Sequence, residues 1–228
     1  MIGPDARIAV AGAGSIGCYV GACLALAGRN VVFLARPRLV DASRDHVKQI
    51  SDLDGPDRAL VPGAAQATSD PAAALSGAEL VLVTVKSGDT AGMADLIRRF
   101  APPAAVVVSL QNGVDNIPLL RNLLGNKRVV AGMVPFNVAQ TWPDGKPHFH
   151  RGTSGRIVID AGWSDLRSLL DVDGVGCVDH PDMAGLAWSK LALNMNNALN
   201  ALSGLPLKRQ LSDRAWRRIL ADQIDELL

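Results

Sequence analysis

The amino-acid sequence predicts an α/β protein, with a parallel, doubly wound sheet followed by the beginning of an all-helical second domain. Three observations support this fold class. Short apolar runs alternate with helix-forming segments, a glycine-rich turn follows the first apolar run, and long helical patterns occupy the last part of the chain. Alternating strands and helices favour a parallel sheet, whose ligands bind at the carboxyl ends of the strands.

The first strand, turn and helix are the strongest signal in the chain. Residues 7–11 are typical of a buried strand, and residues 18–27 form a helix of small residues. The turn between them consists of Gly12, Ala13, Gly14, Ser15, Ile16 and Gly17. Its three glycines have G-x-G-x-x-G spacing, which permits a sharp turn, close approach of a pyrophosphate, and helix packing on the strand. A second buried strand at 31–34 completes a βαβ unit of about 30 residues, so the sequence predicts a Rossmann-type dinucleotide site.

The residues after the second strand predict which dinucleotide binds. An NAD enzyme usually has Asp or Glu there to hold the ribose 2′-hydroxyl, whereas this chain has Ala35-Arg36-Pro37-Arg38. A guanidinium binds a 2′-phosphate through a forked, charge-assisted pair. Arg36 is therefore predicted to select NADP(H), with Arg38 as a helper. The alternative is that both arginines are solvated loop charges.

Composition excludes several classes of protein. The 228-residue chain has 48% apolar residues and a formal net charge of +1, which gives no indication of nucleic-acid binding. Cys18, Cys23 and Cys177 lack C-x-x-C spacing, so we expect reduced, buried thiols and a cytoplasmic location. No apolar run is long enough to span a bilayer, and the chain opens on a strand rather than a signal peptide. No membrane association is therefore expected.

The remaining elements follow from periodicity and from helix-start signals. Asp70 and Pro71 predict a helix start, with Asp70 as the cap. The predicted elements are a helix at 39–49, weak strands and loop at 50–66, strands at 79–85, 105–110 and 128–133, helices at 90–99 and 119–124, a strand at 155–160, a helix at 164–170 and a closing strand at 175–178. Lys86 and Asn112 follow two of these strands, at the edge where a parallel sheet binds its ligands.

His148 and His150 alternate with Phe149 after a turn at 142–145. An H-x-H pair can indicate a metal site, but no third ligand has a suitable spacing. The alternation of an edge strand or hairpin is favoured instead, and no metal is expected.

A domain boundary is predicted at His180-Pro181-Asp182, which gives a dinucleotide-binding domain at 1–180 and a helical domain at 181–228. The helix at 182–203 carries Lys190, Asn194, Asn197 and Ala201 on one stripe. Polar side chains in an otherwise apolar helix are costly to bury without a partner. Either the stripe is exposed to solvent, or it faces a polar ligand.

A ligand-facing lysine suits hydride chemistry. Hydride delivery to a ketone carbon builds negative charge on the oxygen, and a protonated lysine both neutralises and protonates that oxygen. Asparagine amides can orient hydroxyl and carboxylate groups, and a cationic lysine attracts an anionic substrate.

Four motifs, in order, resemble the ketopantoate reductase (2-dehydropantoate 2-reductase) family, from the first strand to about Leu211. They are the 12–17 loop, Val83-Thr84-Val85-Lys86, Ser109-Leu110-Gln111-Asn112-Gly113-Val114 and Trp188-x-Lys190-Leu191-x-x-Asn194. The resemblance implies NADPH-dependent reduction of the 2-keto acid 2-dehydropantoate to pantoate, in pantothenate biosynthesis.

The resemblance also implies roles for individual residues. The implied roles are general acid and substrate contact for Lys190, substrate binding for Asn194, a position near the nicotinamide and substrate for Lys86 and Asn112, 2′-phosphate binding for Arg36, and a position beside the cofactor for the Phe136-Asn137 region. The family commonly has a second asparagine eight residues after the lysine. That position is Ala198 here, so the adjacent Asn197 is expected to bind substrate instead.

The family's second domain normally continues further, and its later helices carry a serine and a glutamate that close the site. This chain stops inside a predicted helix at 212–228, whose apolar members are Trp216, Ile219, Leu220, Ile224 and Leu227. Either the sequence is truncated, or another subunit covers this surface, as in a homodimer through the C-terminal helices. Two other functions stay open: an NADP-binding protein without catalysis, and a reductase of another branched or aromatic 2-keto acid.

Overall fold

The chain divides into two units, Met1–Met183 and Ala184–Leu228, and the computed structural model describes residues 2–53, 55–125 and 128–227. The strands are β1 (Ile8–Ala11), β2 (Val31–Leu34), β3 (Lys48–Asp52), β4 (Arg58–Leu60), β5 (Gln66–Thr68), β6 (Leu80–Val83), β7 (Val106–Ser109), β8 (Val129–Met133), β9 (Val138–Thr141), β10 (His148–Arg151), β11 (Ile157–Asp160) and β12 (Cys177–His180). The helices are α1 (Ser15–Leu26), α2 (Pro37–Asp45), α3 (Pro71–Leu75), α4 (Thr90–Phe100), α5 (Asn116–Leu124), α6 (Ser164–Leu170), α7 (Met183–Ser203), α8 (Leu207–Ser212) and α9 (Arg214–Leu227).

Eight strands form the main sheet of the first unit, in the order β12-β11-β8-β7-β6-β1-β2-β5. Neighbours from β5 to β8 in this order are parallel, and β11 is antiparallel to β8. The predicted doubly wound, Rossmann-type α/β fold is confirmed. Because β1 lies between β2 and β6, the strand order reverses there, and such a switch point opens a crevice at the carboxyl ends of the strands.

The central strands are continuous apolar runs because both faces of the sheet are covered. Every residue of β1, β2 and β6 is buried, and one hydrophobic cluster lies on each face. Helix α1 packs closely on the sheet through glycine. A Cβ at Gly21 would lie 2.9 Å from Val10 Cγ2 and would also collide with the Phe33 ring. The small residues of α1 therefore bring this helix close to β1 and β2.

A second sheet has the order β4-β3-β10-β9, and it corrects two predictions. The helix predicted at 39–49 ends at Asp45, and its last two predicted residues belong to β3. Lys48 and Ile50 point inward while Gln49 is exposed, which is the alternation of a strand. The β9–β10 hairpin is confirmed, but β10 also pairs with β3, so it is an interior strand rather than an edge strand.

Several predicted boundaries also shift. Helix α5 begins at Asn116, three residues before the predicted start. The closing strand begins at Cys177 rather than at 175, because Gly174 and Gly176 adopt positive φ values of 80° and 61°, which interrupt extended backbone. The helix start at Pro71 is confirmed, since the Asp70 carboxylate accepts a 2.9 Å hydrogen bond from the N–H of Ala72. The loop at 50–66 contains β4, while its Asp54 lies outside the described residues.

The second unit consists of α7 from Ala184 onward, α8 and α9. The helix predicted at 212–228 is observed as α9, except that Leu228 lies outside the described residues. No residue of α9 is buried, and Leu193 and Leu202 of α7 are 78% and 80% exposed. Among the described residues, no helix is both long enough and apolar enough to cross a membrane.

The packing of α1 on the sheet is testable with two glycine substitutions. Gly21→Ala should lower the free energy of unfolding by about 1–3 kcal/mol, because the added methyl group overpacks the contact with Phe33 and Val10. Gly92→Ala is the matched control: it lies on the exposed side of α4, where a Cβ meets no atom within 4 Å. It should raise stability by about 0.4–1 kcal/mol. Urea unfolding of both variants measures the difference, and equal stabilities would contradict the close approach.

Candidate functional site

The glycine turn between β1 and α1 is shaped by contacts that a side chain would block. Gly12 has φ of 107°, and a Cβ there would lie 2.7 Å from the backbone nitrogen of Val85. A Cβ at Gly17 would lie 2.5 Å from the Gly12 carbonyl oxygen. A Cβ at Gly14 would meet nothing within 4 Å. The first and third glycines are thus required by the fold itself, whereas the space at Gly14 is open to a ligand.

The N-terminus of α1 lies at this turn and has the features of an anion site. Helix α1 begins at Ser15, its N-cap Gly14 makes no side-chain capping bond, and no acidic residue lies in its first turn. The N–H groups of Ser15, Ile16 and Gly17 have no acceptor within the helix, because they precede its first i→i−4 bond. These N–H groups and the helix dipole favour a negatively charged group.

Hydrogen bonds fix the turn against two strands. The Ala13 N–H donates to the Leu34 carbonyl at 3.1 Å, which joins the turn to the end of β2. The Thr84 hydroxyl donates to the Gly12 carbonyl at 2.6 Å, which joins the turn to the segment after β6. The turn is therefore held in place before any ligand arrives.

Arg36 and Arg38 lie at the carboxyl end of β2. Both side chains are exposed, and within the described residues neither guanidinium makes a hydrogen bond or an ion pair. Arg36 is the N-cap of α2, in extended conformation with φ of −67° and ψ of 152°. The Arg38 guanidinium carbon lies 4.1 Å from the ring centroid of Trp142, a contact that the sequence did not predict.

A buried polar network holds the loops that follow β6 and β7. The Gln111 amide donates to the Val85 carbonyl at 2.9 Å and to the Thr90 hydroxyl at 2.8 Å. The Thr90 hydroxyl donates to the Asn116 carboxamide oxygen at 2.9 Å, and the Asn116 amide donates to the Asn112 carbonyl at 2.7 Å. Neither Thr90 nor Asn116 was predicted from the sequence to have a role near the site. Gln111 lies within the 109–114 motif, so the sequence did point to its neighbourhood.

The sheet topology brings most of the predicted cofactor residues to one edge. The 12–17 turn, Arg36, Lys86 and Asn112 follow β1, β2, β6 and β7, which are consecutive in the sheet. Lys86 and Asn112 are exposed, as expected for side chains that contact a ligand rather than the core. Asn137 lies between β8 and β9 and is also exposed. Its backbone N–H donates to the Thr153 hydroxyl at 2.8 Å.

Three of the four predicted substrate residues belong to α7, and the fourth, Asn112, follows β7. Lys190 and Asn194 are half-buried and Asn197 is exposed. The Asn197 amide lies 3.4 Å from the Asn194 carboxamide oxygen, so these two residues share a helix face. Burial lowers the pKa of Lys190 from its ordinary value, because desolvation penalises the charged amine.

The other two asparagines of α7 have a structural role. The Asn200 amide donates to Gln210 Oε1 at 2.9 Å, and Gln210 Nε2 donates to Asn196 Oδ1 at 2.9 Å. Gln210 is fully buried, so these bonds join α7 to α8. Part of the polar face of α7 therefore holds the second unit together.

A cavity of about 340 Å³ in the first unit contains none of the predicted site residues. Asp52, Arg58 and Arg151 line it, and the Tyr19 hydroxyl donates to Asp52 at 2.9 Å. The carboxylate also lies 3.5 Å from Arg151 and 3.9 Å from Arg58, and Arg58 lies 3.7 Å from the Asp173 carboxylate as well. Within the described residues, no three His, Cys, Asp or Glu side chains converge to hold a metal ion.

A sequence model of the family described as Ketopantoate reductase PanE/ApbA matches residues 8–162. The chain belongs to the ketopantoate reductase family. The resemblance predicted from the four motifs is thereby confirmed.

Individual relatives agree with this family membership. A 2-dehydropantoate 2-reductase from Halobacterium salinarum is 30% identical over 203 residues, which cover 86% of this chain and 65% of that protein. The crystal structure of a PanE/ApbA family ketopantoate reductase from Ralstonia eutropha JMP134 has a TM-score of 0.84 and 33% identity, over 97% of this chain and 72% of that one. D-mandelate dehydrogenase, solved with NADH and anilino(oxo)acetate, shares the fold, with a TM-score of 0.80 at 15% identity over 97% of this chain and 72% of that one. The chain thus spans 65% of the length of the Halobacterium relative.

The polar network predicts the effect of removing a single hydroxyl. Thr90→Val keeps the side-chain shape but leaves the Asn116 oxygen and one Gln111 N–H without a partner. It should lower the free energy of unfolding by about 1–3 kcal/mol. It should also speed amide hydrogen exchange in the loops at 84–90 and 110–116.

The matched control is Thr141→Val, at an exposed position of β9 whose hydroxyl makes no hydrogen bond within the described residues. Its unfolding free energy should stay within about 0.5 kcal/mol of the wild-type value. If the two variants are equally stable in urea, the network does not hold these loops.

Proposed function

We propose that this member of the ketopantoate reductase family uses NADPH to reduce 2-dehydropantoate (ketopantoate) to pantoate, a step of pantothenate biosynthesis. The observation that carries this proposal is the site at the switch point of the sheet. An open glycine turn, a helix N-terminus and two arginines that form no ion pair with any described residue lie along this edge, inside the segment that the family model matches.

The shape of the turn fits a dinucleotide. The open space at Gly14 suits a pyrophosphate close to the backbone, and the N–H groups of Ser15, Ile16 and Gly17 suit its charge. Ala13 would line the loop without donating its N–H to the cofactor, because that N–H is already bonded to the Leu34 carbonyl. Residues 12–17 are therefore proposed as the cofactor-binding loop.

NADP(H) is favoured over NAD(H) by charge. The residue that ends β2 and the four that follow it include no carboxylate, so the usual ligand of a ribose 2′-hydroxyl is not at this strand end. Arg36 is exposed and makes no ion pair within the described residues, so its forked N–H groups are available to a 2′-phosphate. Bound NADPH supplies the hydride for the reduction.

Lys190 is proposed to protonate the substrate oxygen. Its ammonium group offsets negative charge on that oxygen as the carbonyl is reduced, and then transfers a proton to it. The lowered pKa of Lys190 makes the ammonium group a stronger acid than an ordinary lysine. Asn194 and Asn197 are proposed to orient the carboxylate and hydroxyl groups of the 2-keto acid.

Three exposed residues at the carboxyl edge of the sheet are also proposed to bind ligands. Asn112 is assigned to both cofactor and substrate, and Lys86 and Asn137 to the cofactor. The network of Thr90, Gln111 and Asn116 supports the assignments of Lys86 and Asn112, because it fixes the loops on which these two residues lie.

A homodimer through the C-terminal helices is also proposed. The exposed Leu193, Leu202 and Ile219 support it, because exposed apolar side chains within one unit are typical of an interaction surface. The three cysteines are buried free thiols, which supports a reducing, cytoplasmic location.

The reaction is tested by following NADPH oxidation at 340 nm, first with ketopantoate and then with a panel of branched and aromatic 2-keto acids. Oxidation with ketopantoate as the best substrate is the expected result. A better substrate elsewhere in the panel would replace ketopantoate in the proposal. NADPH binding without oxidation of any panel member would indicate a binding protein without catalysis.

In the same assay, Lys190→Ala should lower turnover by about 10²–10⁴-fold, the usual contribution of a general acid, while NADPH affinity changes little. In the wild type, turnover should fall as pH rises through the pKa of Lys190, which lies below its ordinary value, because only the protonated amine donates.

Lys208→Ala is the control, since Lys208 is an exposed lysine of α8 in the same unit. This variant should retain wild-type turnover. Wild-type turnover in the Lys190 variant would remove Lys190 from the mechanism.

A further inference from the structure

The turn between β9 and β10 carries Trp142, an aromatic residue that contacts the proposed 2′-phosphate site. Its ring lies under the Arg38 guanidinium, 4.1 Å from the guanidinium carbon. Trp142 is itself half-buried and packs against the main hydrophobic cluster of the first unit. The second sheet thus supplies a rigid aromatic surface for an otherwise exposed arginine.

This contact leaves the Arg38 N–H groups available. Stacking on a ring uses the face of the guanidinium plane, whereas bidentate binding of a phosphate uses its edge. Within the described residues, Arg38 makes no hydrogen bond and no ion pair. A carboxylate is close by on α2, but Asp41 pairs with Arg44 at 3.6 Å. The Trp142 ring therefore restricts the Arg38 side chain, while no carboxylate of the described residues pairs with its positive charge.

Holding a long side chain in advance increases affinity for its ligand. An exposed arginine has many rotamers, and fixing it on binding weakens affinity by about two- to tenfold for each immobilised side chain. Stacking on Trp142 restricts Arg38 before the ligand arrives. Arg36 lies two residues away, at the N-cap of α2, so both arginines belong to the start of this helix.

We propose that Trp142 is a positioning residue for cofactor selection: it holds Arg38 as the second guanidinium that binds the 2′-phosphate of NADPH, beside Arg36. This role rests on the proposed use of NADPH. The ligand group it recognises is a phosphate monoester on the adenosine ribose. NADH has no such group, so its affinity is independent of the Trp142–Arg38 contact.

A purely structural role for Trp142 predicts a different result. If the ring only packs against the core, its loss disturbs the first unit and weakens NADPH and NADH binding equally. If it positions Arg38, its loss weakens NADPH alone. The ratio of the NADH to the NADPH dissociation constant separates the two cases.

Fluorescence titration of the 228-residue chain with NADPH and with NADH measures this ratio. Arg38→Met keeps the apolar stem and removes the guanidinium, and it should lower the ratio by about tenfold, as expected for loss of a charge-assisted hydrogen bond. Trp142→Leu should lower this ratio by about two- to fivefold. Trp142→Phe keeps an aromatic ring, so its ratio should lie close to the wild-type value. In the Arg38→Met background, Trp142→Leu should have no further effect.

Two further variants make the test specific. Trp163→Leu is the matched control, because Trp163 is also half-buried and packs against the same cluster, and its ratio should equal that of the wild type. Arg36→Ala should lower the ratio whether or not Trp142 has a positioning role.

The inference is overturned if Trp142→Leu leaves the ratio at its wild-type value, with or without an equal loss of both affinities, and Arg36→Ala still lowers the ratio. In that case the proposed NADPH selection stands without it. If Arg36→Ala also leaves the preference unchanged, or the wild type binds no NADPH, the proposed cofactor site fails and the role of Trp142 fails with it.

Discussion

The rest of the site depends on the close approach of α1 to the carboxyl end of β1. Two glycines permit it, since side chains at Gly12 and Gly17 would collide with neighbouring backbone, and the Thr84 hydroxyl fixes the Gly12 carbonyl at 2.6 Å. This contact places the N-terminus of a twelve-residue helix at the switch point of the sheet. An electropositive helix end, rather than any charged side chain, is therefore the first element of the proposed cofactor site.

In each unit, buried polar groups that hold the fold are distinct from the polar groups that are exposed. Thr90, Gln111 and Asn116 satisfy one another in a buried network, and Asn196 and Asn200 are bonded to Gln210. In contrast, Arg36, Arg38, Lys86 and Asn112 are exposed at the carboxyl ends of β2, β6 and β7. Buried polar groups must be satisfied internally, whereas exposed ones are free to bind. This division supports the proposed assignment of binding roles to the second group.

The sequence predicts the main sheet well because its central strands are buried on both faces and read as uninterrupted apolar runs. It fails at β3, because the sequence pattern places Lys48 in a helix. That lysine is almost fully buried, 5.8 Å from the Phe33 ring, and desolvation lowers its pKa. Thr90 and Asn116 of the polar network are 26 positions apart in sequence, and Arg38 and Trp142 are more than 100 positions apart. Local patterns cannot predict such contacts, because they arise only when the sheets have formed.

The most direct test of the central claim is NADPH binding by Gly14→Val. A Cβ at this position would meet no atom within 4 Å, and the φ of −85° suits any residue, so the urea midpoint of the variant should lie close to the wild-type value. The branched side chain would fill the space proposed for the pyrophosphate. Loss of NADPH binding with unchanged stability is the predicted result. Wild-type NADPH affinity in Gly14→Val would show that the cofactor does not lie on this turn.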